Sequence, residues 1–125
     1  MNRSFLLLFT VSSLLFLTSC TDDELATGGG GTILDCSGQT PTYSANIKSI
    51  MDGSCATSGC HNSSTQANGI DLSTYDLVKT ESGKNRFLGS IRHESGFDRM
   101  PQGKSKLSDS TIDMIACWIE NGSAE

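Results

Sequence analysis

The stretch Cys55-Ala56-Thr57-Ser58-Gly59-Cys60-His61 constrains this chain more than any other. Two cysteines followed at once by a histidine is how a covalently held haem is written into a polypeptide. Each thiol can add to a vinyl group of the macrocycle, and the adjacent imidazole can bind the iron from one side. The usual motif has two residues between the cysteines, and this chain has four. On a regular helix, positions five apart point about 140° away from each other, so one helix face cannot offer both thiols to one edge. Thr57, Ser58 and Gly59 are small, and Gly59 admits backbone angles closed to other residues. A bulged loop can therefore bring Cys55 round to join Cys60.

The 125-residue chain is long enough for one domain, but its beginning reads as a targeting segment. Arg3 supplies a positive start, and the apolar run from Phe5 to Leu17 is too short to span a bilayer. It closes on Leu17-Thr18-Ser19-Cys20, which resembles a bacterial lipoprotein box, cut before the cysteine that then carries the lipid. An ordinary secretory signal would need no cysteine there. Residues 1–19 are thus expected to be a signal peptide and Cys20 the lipidated residue that anchors the chain to a membrane. The acidic run Thr21-Asp22-Asp23-Glu24 is similar to surface-export signals of lipoproteins in Bacteroidetes-type bacteria, or is a solvated linker. Four consecutive glycines from Gly28 to Gly31 cannot support a packed core. As a flexible tether, Thr21 to Asp35 would reach about 20 Å. Residues 20–35 are therefore read as lipidated cysteine and tether, and residues 36–125 as the folded domain. The expected localisation is the outer membrane of an exporting bacterium, on its periplasmic or cell-surface side.

Loss of residues 1–19 removes Arg3 and leaves 8 basic and 14 acidic residues, a net charge of −6. That balance argues against nucleic acid or anionic headgroups as partners. Of the five cysteines, Cys36 and Cys117 remain once Cys20, Cys55 and Cys60 are assigned, and export makes a disulfide between them allowable.

Helical periodicity recurs through the domain and no strand-period run is visible, which predicts an all-α fold. Tyr43, Ile47, Ile50 and Met51 form a helical stripe, with Ser44 as cap and Gly53 as stop. Ile70, Leu72, Tyr75, Leu77 and Val78 predict a short helix over 74–80, capped by Ser73. Phe87, Leu88 and Ile91 predict another, ending before Gly96. Met100 precedes Pro101 and therefore sits in an extended loop. The last helix is capped by Ser108 or Ser110. Ile112, Ile115, Ala116 and Ile119 share its buried face, Trp118 borders that face, and Gly122 ends it. Cys117 lies off the face, free to reach another segment.

An iron held by His61 has a second side, and Met100, 39 residues downstream, is the leading candidate for it. A thioether favours ferrous iron and raises the potential. Alone, Met100 would be read as a core gap-filler. His93 is the competing ligand, although charged Arg92 and Glu94 beside it suggest an exposed position. Met51 and Met114 fall on predicted helices as packing residues.

Taken together, the order of these features resembles class I cytochrome c, and more closely the small cytochrome c-like lipoprotein domains of Bacteroidetes and Planctomycetes. The residues that carry the resemblance are Cys60-His61-Asn62, then Gly69, Leu72 and Tyr75, then Met100-Pro101, then Trp118, Ile119 and Gly122, within residues 41–123. The resemblance implies one covalent haem c, attached at Cys55 and Cys60, with His61 and Met100 as axial ligands. It implies packing of the two terminal helices, with Ile47 and Ile50 against Ile112, Ile115 or Ile119. The four-residue spacer departs from the common motif and bears on how the first thioether matures. The haem would supply apolar interior that roughly 90 residues provide poorly.

Two readings compete: a zinc site on Cys55, Cys60 and His61 with His93 or another cysteine, and a structural lipoprotein with Cys55–Cys60 and Cys36–Cys117 disulfides. No nucleophile–base–acid pattern or phosphate loop points to an enzyme. The expected function is electron transfer to a redox partner protein, or, if Met100 is not a fixed ligand, a haem-based module that binds a small molecule. Lys84, Arg86, Arg92, Arg99, Lys104 and Lys106 cluster in sequence around Met100 as a basic docking patch, as partners of haem propionates, or as solvated surface.

Overall fold

Residues 34–125 are described by the computed structural model, and they form four helices with no strand among them. The expected signal peptide, Cys20, the acidic run and nearly all of the expected tether lie outside the described residues. Among those described, no helix is long and apolar enough to cross a membrane.

The first helix, α1 (residues 43–55), is built of a wide i→i+5 turn over Tyr43–Ile47, an α-turn over Lys48–Ile50, and a second wide turn over Met51–Cys55. Its buried residues Tyr43, Ile47 and Met51 recur every fourth position, and Cys55 continues the series. In a regular α-helix each step of four advances by about 40°, so such a stripe would drift round the surface. Wide turns hold more residues per turn and reduce that drift, keeping Cys55 in line with the core. Thr42, not Ser44, caps the helix: its hydroxyl accepts from Ala45 N–H at 3.3 Å, while Asn46 Oδ1 accepts from Thr42 N–H at 3.1 Å. Gly53 does not stop the helix but lies inside its last turn.

α2 (Tyr75–Ser82) and α3 (Asn85–Arg92) form a short pair in the middle of the chain. Ser73 does not cap α2. Its N–H is instead held by Asp71 Oδ1 at 2.9 Å, and Thr74 occupies the cap position. α4 (Asp109–Glu120) starts at Ser108, whose hydroxyl accepts from Thr111 N–H. It ends in a Schellman arrangement: Ser123 N–H donates to Trp118 C=O and Gly122 N–H to Ile119 C=O, with Gly122 left-handed at φ +87°.

The core joins α1, α2, α3 and α4 through Tyr43, Ile47, Met51, Val78, Phe87, Ile91, Ile112, Ile115 and Trp118. Burying each of the larger aliphatic side chains contributes about 1.5–3 kcal/mol before chain entropy is set against it. Trp118 does not border the core but sits fully inside it, because the chain end folds over it: its indole N–H donates to Ala124 C=O at 2.7 Å. Ile119 is the half-buried member of the face instead, and Ile50 is likewise half-buried beside a fully buried Ile47. Cys117 bonds to Cys36, with Cα atoms 5.4 Å apart.

Candidate haem site

Four residues separate Cys55 from Cys60, and the backbone between them doubles back on itself. Ala56 N–H closes the last turn of α1 on Met51 C=O, Cys60 N–H bonds Thr57 C=O, and His61 N–H returns to Cys55 C=O at 3.1 Å. Gly59 makes this possible with a φ of +81°. As a result Cys55, Cys60 and His61 all line one cavity of about 640 Å³, a size typical of cofactor sites. Both cysteines are free thiols. Burial pushes the Cys55 thiol up to about 11, with nearby Cys60 adding to the shift and Lys104 opposing it.

The polar loop after His61 serves to hold the imidazole. Ala67 N–H bonds Cys60 C=O, and Leu72 N–H bonds His61 C=O at 2.8 Å, so residues 70–72 run back beside His61. There Ile70 C=O lies 3.3 Å from His61 Nδ1. A carbonyl only accepts, so Nδ1 carries a proton, and in the neutral ring the lone pair is on Nε2. The ring is largely buried, at 9 % exposed.

The opposite wall comes from α3 and the loop after it. Phe87, Ser90 and Ile91 line the cavity, as do Phe97, Met100 and Pro101. Met100 is half-buried against the core, and its peptide bond to Pro101 is cis. Its N–H donates to Ser90 C=O at 3.1 Å, and its C=O accepts from His93 Nε2 at 3.0 Å. His93 is half-buried rather than exposed, and it is not among the residues lining the cavity.

Ion pairs divide the basic residues expected to cluster here. Arg92 pairs with Glu94 at 3.6 Å, and Lys106 with Asp109 at 2.9 Å. Lys84 and Arg86 both pair with Glu81, at 2.5 and 2.6 Å. Only Arg86 and Lys104 of that set line the cavity. Glu81, also on the cavity wall, escaped the sequence reading: on a short polar helix it looks like any solvated carboxylate, yet it is 8 % exposed. Phe97 escaped too, because it stands alone in a loop with no periodicity. Its ring fills the space where a side chain on Gly89 would project, 2.5 Å from that position.

The donor types present fit a haem held through two thioethers. Among the described residues, no three His, Cys, Asp or Glu side chains converge as a metal-holding group. The cavity instead joins two thiols and an imidazole on one side to a thioether on the other, between apolar walls that include Ile70, Leu72, Phe87 and Ile91. Compared with protein-family models, curated proteins and solved structures, the chain matches none.

Proposed function

We propose that this chain is a monohaem c-type cytochrome lipoprotein that carries electrons and performs no catalysis of its own, with a cytochrome c-like fold over residues 36–125. One observation carries the reading: Cys55, Cys60, His61 and Met100, drawn from two segments far apart in sequence, line the same cavity. When bound, haem c would supply a one-electron ferrous–ferric couple. Cys55 and Cys60 would hold it covalently. His61 would offer Nε2 to the iron, its orientation fixed by the Nδ1–H bond to Ile70 C=O. Met100 would offer its sulfur from the other wall, closing the iron to substrates.

Ile70, Leu72, Phe87 and Ile91 give the cavity apolar wall, and Lys104 and the Glu81-paired Arg86 place positive charge at it, where acidic substituents would sit. Lipidation at Cys20 would tether the domain to the outer membrane, where it would exchange electrons with a redox partner protein through a small, transient contact.

The test is a pyridine haemochrome spectrum of residues 20–125 expressed in a periplasm equipped for c-type maturation. One covalent haem per chain is expected, abolished by His61→Ala or Cys60→Ala. The band position reports whether one or both vinyl groups are saturated, and so whether Cys55 is attached. A folded product without covalent haem would overturn the proposal.

A further inference from the structure

We infer that His93 is a positioning residue for Met100: its imidazole fixes where the sulfur-bearing residue stands on the cavity wall. The inference rests on the haem reading and deepens it. After α3 the chain makes a short excursion through residues 94–99 and returns at Met100. The base of that excursion is closed by three bonds from the end of α3. Glu94 N–H donates to Gly89 C=O at 2.9 Å, Met100 N–H donates to Ser90 C=O at 3.1 Å, and His93 Nε2 donates to Met100 C=O at 3.0 Å. Both backbone groups of Met100 are thus bound to α3, one of them through a side chain.

A second observation makes the imidazole more than incidental. His93 ends α3 in the left-handed region, at φ 61° and ψ 36°, where glycine is the residue of least strain. A non-glycine residue held at such an angle points to a role for its side chain. The bond to Met100 C=O is the one hydrogen bond that side chain makes, and it engages the nitrogen through which His93 would most directly have competed as a ligand. The packing of Phe97 against Gly89 steadies the middle of the same excursion, so the imidazole acts at its closing end.

His93→Gly tests this cleanly, because glycine suits the left-handed position and removes only the imidazole. The mature protein with its covalent haem is examined in two ways: amide hydrogen exchange across residues 94–103, and the sulfur-to-iron charge-transfer absorption of the oxidised form. Loss of one hydrogen bond predicts exchange about fivefold faster in that segment alone, with the absorption band weakened or lost. His93→Gln, whose amide N–H can donate in place of Nε2, is expected to restore both. Unchanged exchange in His93→Gly would overturn the inference, and so would faster exchange with the band intact, since the iron would then hold Met100 unaided. Covalent haem with no band in the parent protein would overturn this inference while sparing the haem assignment. A parent without covalent haem would overturn both.

Discussion

At Glu81 two opposing effects meet on one carboxyl. Burial pushes its pKa up, but hydrogen bonds and charge from Lys84 and Arg86 together outweigh burial and hold it below the ordinary value of 4.5. The side chain is 10 % exposed while both partners are half open to solvent, which screens the pairs. A folded-state pKa below the unfolded one stabilises the fold above the ordinary carboxylate range, and that stabilisation is lost as pH falls through the lowered value. Glu81→Gln is therefore expected to cost about 1–2 kcal/mol at neutral pH. The difference from the parent should shrink between neutral pH and acid well below the ordinary carboxylate range, as the lowered value is passed. Denaturant titrations at the two pH values check this. A difference that persists unchanged in acid would place the effect in packing instead. None of this was visible in the sequence, where Glu81, Lys84 and Arg86 look like three separate surface charges. His61 and Met100 stood out because their chemistry is uncommon; Glu81 did not because its chemistry is ordinary and only its burial is unusual.

Gly53 in α1 shows where periodicity misleads. A glycine after an apolar stripe reads as a helix stop, yet the chain continues through it in a wide turn to Cys55. The sequence signal for that turn was the four-residue recurrence of Tyr43, Ile47, Met51 and Cys55, which a regular helix does not keep on one face. A Cβ at Gly53 would meet nothing within 4 Å. Gly53→Ala is therefore expected to raise stability by about 0.5–1 kcal/mol, by limiting the unfolded chain and favouring helix. A thermal midpoint that falls would mean that the wide turn needs glycine's freedom. The element types of all four helices were legible from apolar spacing. Their caps were less so: neighbouring Thr42 and Ser44, or Ser73 and Thr74, offer equivalent hydroxyls, and the choice depends on where the wide turn or the Asp71 bond places the backbone. Trp118 was underestimated because nothing in a helix pattern foretells a tail folding back over one residue.

Across the whole domain, the Cys36–Cys117 bond closes a long loop, its ends 81 residues apart, that contains α1, α2 and α3. Such a staple typically stabilises a fold by about 2–5 kcal/mol. Cys36→Ala with Cys117→Ala is expected to lose that amount in denaturant titrations while leaving the proposed haem attachment unaffected, because neither residue lines the cavity. A double variant as stable as the parent would show that the tail contacts alone hold this end. Those contacts are concentrated: Tyr43 N–H and the Trp118 indole both donate to Ala124 C=O, Tyr75 O–H donates to Ser123 C=O, and the Asn121 amide donates to Gln39 C=O. All of them gather near the first residue of α1, whereas Cys55 is its last, roughly 15–20 Å away. The helix is thus bolted at one end and carries the cavity at the other. Partial opening is expected to follow that gradient, with the loops around the cavity exchanging amide hydrogens faster than the bolted end. The domain can therefore loosen at its mouth without losing the memory of its fold.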